Sequence, residues 1–265
     1  MAFFDNAYHK IFSPEMKFIM TRKIFLALVI IALPLSSLCC ADEVDDLLGY
    51  YVDRFKPETA ELVIAEKPDE TGNFSDLYME LKGVMVETLR MDRLTFRMKG
   101  VQFNKPSEWA KGNVECSSAI QIQALARILE GDINKAIEEK TFGEDDTWHD
   151  VSMKITPKGL NGKGYYKANA GLFNLDILLE ITSPLKIVNG KELWLNNPVV
   201  KVNKLDVPDY VTKKALSRIQ PLVDLDRFPL PMTLHKVDLQ QGVATLSTRN
   251  LPKALTEGLK YSYKK

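Results

Sequence analysis

The hydrophobic positions along this chain change their period twice, and each change marks a different kind of segment. From Ile24 to Leu35 they form one apolar run of about a dozen residues. From Glu43 they fall at Val44, Leu47, Leu48, Tyr51, Val52 and Phe55, the spacing of one face of an amphipathic helix. Pro57 ends that helix. The polar cluster Lys67 to Ser75 reads as a loop; its Asn73-Phe74-Ser75 is a glycosylation sequon, meaningful only in a eukaryotic secretory pathway.

Beyond this loop the period becomes two. Leu94, Phe96 and Met98 alternate with Thr95, Arg97 and Lys99, and Val114, Cys116, Ser118, Ile120, Ile122 and Ala124 with more polar neighbours. Val151, Met153 and Ile155 alternate before the turn PKGLNGKG, where Gly159, Gly162 and Gly164 are expected to supply positive-φ positions for a hairpin. The strongest strand is GLFNLDILLEI, in which Phe173, Leu175, Ile177, Leu179 and Ile181 make one wholly apolar face. Further strands are expected at Leu185–Val188, Leu193–Leu195, Val199–Leu205, Leu234–Leu239 and Val243–Ser247, about nine in all, separated by turns short enough for an antiparallel meander. Two helices interrupt them. One is capped by Asp132 after a break at Gly131, and the other spans Pro208 to Gln220, with proline in its first turn.

The apolar run before Asp42 is too short to span a bilayer, which takes roughly 20 residues. Thr21, Arg22 and Lys23 precede it and the small residues Ser36 to Ala41 follow, which is the grammar of a secretory signal peptide over residues 1–41. A start at Met20 makes this leader compact, so the first nineteen residues are read as an over-long extension. Acylation at Cys39 or Cys40 is the competing export route, but Leu38, Ser36 and Ser37 fit a lipoprotein site poorly. The protein is therefore expected to be exported, periplasmic or envelope-associated. Residues 42–265 are expected to form one domain, with 42–66 as its N-terminal helical segment.

Without the leader, 31 Lys and Arg face 33 Asp and Glu. That balance gives no basic footprint for nucleic acid. Cys116 remains as a lone cysteine, so the fold is expected to rely on its core and not on disulfides. Cys116 sits on the apolar side of its strand and reads as a small buried hydrophobe. His149, beside Trp148, Asp145, Asp146 and Asp150, lacks a second ligand at metal-binding spacing, and His235 reads as a surface or edge residue. No GxSxG elbow, P-loop or GxGxxG occurs, so neither catalytic residues, metal nor cofactor is expected and the chain reads as a non-enzyme. Met79, Met85, Met91 and Met98 are flexible apolar residues able either to pack a core or to line a groove.

Three segments carry a resemblance: LRMDRLTFRMKGVQF (Leu89–Phe103), LEGDINKAI (Leu129–Ile137) followed by ITPKGLNGKGYY (Ile155–Tyr166), and DLDRFPLPMTLHKVDLQQGVATLS (Asp224–Ser247). Together they resemble the LmeA-like phospholipid-binding family of exported bacterial proteins. The resemblance implies an α+β fold like the tubular lipid-binding superfamily, a long twisted antiparallel sheet wrapped around amphipathic helices, with an elongated hydrophobic groove for phospholipid or another acyl lipid. It transfers no catalytic residues. On this reading Phe173, Leu175, Ile177, Leu179 and Ile181, with Leu94, Phe96 and Met98, meet the acyl chains, and membrane contact is transient. A structural or partner-binding envelope protein with a filled core is the first rival, and a hydrolase or transferase acting on an envelope lipid the second.

Overall fold

A computed structural model describes residues 42–86, 89–139, 148–170, 173–206 and 220–265, which fall within one unit, Asp42–Lys265. The expected leader and the helix expected from Pro208 lie outside the described residues. Helix α1 (Glu43–Phe55) leads into β1 (Thr59–Ile64), β2 (Asn73–Val86) and β3 (Leu89–Phe103). A 3-10 turn at Pro106–Lys111 separates β3 from β4 (Cys116–Leu129), which runs directly into α2 (Glu130–Glu139). Next come β5 (Trp148–Thr156), β6 (Gly159–Ala170) and β7 (Phe173–Ser183), then the short β8 (Leu185–Val188), β9 (Glu192–Leu195), β10 (Val199–Val202) and β11 (Leu205–Asp206). The chain closes with β12 (Val223–Asp224), β13 (Lys236–Gln240), β14 (Val243–Ser247) and β15 (Leu259–Lys264). These strands pair antiparallel into a seven-stranded sheet (β13-β14-β4-β3-β2-β1-β15), a five-stranded sheet (β11-β10-β7-β6-β5) and a three-stranded sheet (β12-β9-β8). The antiparallel expectation holds, with more strands among the described residues than the alternation alone reveals.

Helix α1 buries the expected face. Val44, Leu47, Leu48, Tyr51 and Phe55 enter a core with β2 and β3 residues such as Leu77, Met79, Phe96 and Met98. Asp42 caps the helix, its carboxylate accepting the Val44 N–H at 3.3 Å and the Tyr261 hydroxyl at 2.7 Å. In the same core, Trp109 stacks on Phe74, with ring centroids 5.9 Å apart, and its indole N–H donates to Asn104.

Two glycines bend the long sheet. Gly83 and Gly100 have φ of +63° and +51°, a region that costs a residue with a Cβ. Each makes the inward alternation skip a step, so that Leu81 is followed by Val84, and Met98 by Val101. A Cβ at Gly100 would stand 2.5 Å from Ile120 Cδ1. Ile120 fills the space beside that glycine from outside and is 88% exposed. This corrects its expected place, and that of exposed Ser118, on the inner face with Val114 and Cys116: the register shift beside Gln102 and Phe103 and the step at Gly100 make the inward positions of β4 run Cys116, Ala119, Ile122 and Ala124.

Other details also depart from expectation. Gly159 alone of the three turn glycines has positive φ, while Gly162 and Gly164 lie within β6, opposite Ile181 and Leu179. No break occurs at Gly131, which lies inside α2, and Asp132 is in the first turn, bound by Arg90 at 3.0 Å. The start of α2 is held by another device. Asn134 donates to the Met153 carbonyl at 2.9 Å and accepts the Met153 N–H at 2.7 Å, while Glu130 accepts the Ile155 N–H at 2.8 Å. These side chains act as a surrogate strand along the edge of β5. Asn134→Ala leaves two backbone groups of Met153 unpaired and is expected to lower stability by about 1–3 kcal/mol in a urea titration.

Candidate functional site

A cavity of 760 Å³ opens between the inner face of the seven-stranded sheet and the irregular segment 220–234. Its volume falls within the roughly 300–1,000 Å³ typical of small-ligand sites. Leu94 on β3, Ala124 and Ala126 on β4 and Leu246 on β14 form its floor. Register explains the space: Ala126 stands opposite both Leu94 and Leu246, and Ala124 opposite Phe96, so β4 contributes methyl groups where its neighbours contribute large side chains. The two core clusters meet here, with Met91 and Ala126 packing against both.

The roof is segment 220–234, with Pro221, Leu222, Leu225, Phe228, Met232 and Leu234 toward the cavity. Its backbone is fastened on the outside to the three-stranded sheet. Leu222 N–H donates to Leu193 O at 2.8 Å, Leu225 N–H to Lys191 O at 3.0 Å and Leu234 N–H to Gly190 O at 2.6 Å, and Lys191 pairs with Asp226. The prolines lack N–H donors and leave few backbone donors to satisfy on the apolar side. Helix α1 closes one end with Phe55, which stacks on Phe228 at 5.5 Å, and Phe228 in turn meets Phe96 at 5.8 Å. Because the lining combines buried Leu94 and Leu246 with exposed Arg54 and Leu222, the cavity reaches solvent.

The structure distributes the sequence-assigned groove residues over separate surfaces. Leu94 lines the cavity, whereas Phe96 and Met98 are fully buried in the core beneath helix α1. Ile177, Leu179 and Ile181 are half-buried on the five-stranded sheet, and the side chains of Phe173 and Leu175 lie outside the described residues. The early methionines divide as well: Met79 and Met98 are core, Met85 and Met91 cavity lining. Sequence reading missed the roof and the two alanines altogether. The Pro-rich stretch was visible, but nothing in it marks an inner side.

Polar groups elsewhere make no comparable site. Cys116 is half-buried against the main core, and burial pushes its thiol pKa up. His235 is exposed at the start of the β13 strand, and its backbone N–H donates to Ser247 O at 2.9 Å. No cluster of three metal-binding side chains occurs among the described residues. His149 lies between Asp150 at 3.1 Å and Asp176 at 3.3 Å and stacks on Tyr165. The bond to Asp150, then that to Asp176, raises its pKa above the ordinary histidine value. Folding therefore favours the imidazolium; this contribution is complete below the unfolded pKa and fades as pH rises through the raised folded value. A histidine-selective NMR titration is expected to show His149 titrating above 6.5, and Asp176→Asn to bring it back down.

The structure thus shows an antiparallel sheet protein with a largely apolar cavity open to water under a proline-rich strap, a shape that suits an apolar or amphipathic small molecule. The pattern that defines the LmeA-like phospholipid-binding family matches residues 70–249, and the chain belongs to that family. No curated protein and no solved structure matches it. The matched stretch contains β3 and β4 from the floor and the whole roof, while helix α1 lies outside it.

Proposed function

We propose that this is an exported envelope protein that holds a phospholipid, with acyl chain inside the cavity, for storage or transfer between membranes. The observation that carries the reading is the open apolar cavity itself, whose floor and roof lie within the region matched by a phospholipid-binding family. Each methylene moved from water into such a site contributes about 0.8 kcal/mol, so a long chain supplies binding energy without any catalytic group. Half-buried Ile177, Leu179 and Ile181 of β7 offer a further apolar surface for the rest of a two-chain lipid. On this reading a leader over residues 1–41 accounts for delivery to the envelope, and a long antiparallel sheet packed on helix α1 is what a tubular lipid-binding fold requires. A rival structural protein has no use for a solvent-open cavity at the junction of its two cores.

Transfer of a fluorescent phospholipid from donor to acceptor vesicles tests this. The protein is expected to accelerate transfer in proportion to its concentration; transfer at the spontaneous rate would refute the carrier role.

A further inference from the structure

The arginines of the long sheet are paired: Arg90 with Glu58 and Asp132, Arg93 with Glu80, Arg97 with Asp76 and Arg127 with Asp92. Among the described arginine side chains, Arg54 and Arg249 stand outside this pattern, and of the two Arg54 lines the cavity. Among the described residues it forms no ion pair. Asp53 is engaged by Lys56 at 3.2 Å, and Asp224, the carboxylate lining the same cavity, accepts the Asp226 N–H at 3.0 Å and faces the field of Lys191. Helix geometry sets Arg54 beside buried Tyr51, at the edge of the buried face of α1, and Arg54 is exposed while lining the cavity, so it stands where the apolar cavity meets water.

We infer that Arg54 binds the phosphodiester of the lipid headgroup at the cavity mouth, and so selects phosphate-bearing lipids over neutral acylglycerols with the same chains. The inference rests on the lipid-binding reading above and adds its polar half. A guanidinium presents a planar fork of donors that meets two phosphate oxygens at once and sheds water more readily than an ammonium. Beside an apolar interior the bond is less screened than on an open surface. The position suits an amphipathic ligand, because the chain enters the cavity while the phosphate stays at its rim. Arg54, on helix α1, lies outside the family match at residues 70–249.

Calorimetric titration of the delipidated protein distinguishes the possibilities. The ligands are a short-chain phosphatidylglycerol, the diacylglycerol with identical chains, and sodium phosphate. Arg54→Gln is expected to weaken phosphatidylglycerol binding roughly tenfold or more, to leave diacylglycerol binding unchanged, and to make the phosphatidylglycerol affinity less dependent on salt. Arg54→Lys keeps the charge but not the fork and is expected to fall between the two; it also supplies the comparison should the glutamine variant not fold. Unchanged phosphatidylglycerol binding in either folded variant, or an equal loss for both lipids, overturns the headgroup assignment and leaves lipid binding standing. Arg54-dependent binding of sodium phosphate alone would assign a soluble anion and overturn it too. Failure of the wild type to bind either lipid would instead refute the lipid-binding reading beneath it.

Discussion

Ala126→Trp is expected to remove most lipid from the folded protein. Ala126 lies on the floor of the cavity, opposite Leu94 on one side and Leu246 on the other, and its half-buried methyl group borders both core clusters and the cavity between them. An indole placed there competes with an acyl chain for the same volume. Overpacking a closed core costs about 1–3 kcal/mol, whereas filling an existing void avoids most of that strain. The variant is therefore expected to unfold near the wild-type midpoint while its lipid content per folded molecule drops at least tenfold. A destabilised protein with undiminished lipid would mean that the ligand lies elsewhere.

The largest loss of stability is expected from Trp109→Ala. Trp109 is 1% exposed, stacks on Phe74, meets Phe103 edge to face at 6.2 Å, and donates its indole N–H to Asn104 at 3.1 Å. Truncation of a fully buried tryptophan costs about 3–5 kcal/mol. It also leaves Asn104 Oδ1 with the Glu115 N–H as its described donor. The 3-10 turn that carries Trp109 packs against helix α1, so the damage should reach the helix that closes the cavity. Chemical denaturation should show the lower midpoint, with the Arg54-dependent preference for phosphatidylglycerol weakened in parallel.

How much of this was legible in the sequence depends on how local each feature is. Helix α1 was readable at Val44, Leu47, Leu48, Tyr51 and Phe55 because one periodic face meets one core. The β7 strand was readable for the same reason, since alternate residues from Ile177 to Ile181 share a face. Ile120 was misplaced because its orientation is decided by a glycine on the neighbouring strand, and alternation within β4 carries no trace of Gly100. β1 and β15 pair with each other from opposite ends of the domain, a contact that no local pattern announces.

The cavity was the least legible part. Ala124 and Ala126 on an inward strand face look like ordinary small core residues until the residues opposite them are known. The roof carries only the two-residue β12 and a single 3-10 turn, because prolines and backbone bonds to β9 and to the turn between β8 and β9 shape it. Arg54 occupies the polar side of an amphipathic helix, where an arginine reads as solvent-facing; only the bend of the sheet and the docking of the roof bring an apolar space beside it. The family resemblance held, and its segments fall on identifiable elements. Its first segment is β3, its second spans the β4–α2 junction with Asn134 and then the β5–β6 hairpin, and its third supplies most of the roof with β13 and β14.

The most direct test of the central claim is mass spectrometry of lipid extracted from the protein purified without added detergent. Near-stoichiometric phospholipid, retained through gel filtration and lost in Ala126→Trp, is the expected result. A folded wild-type protein that carries no phospholipid, and takes none from vesicles, would contradict it.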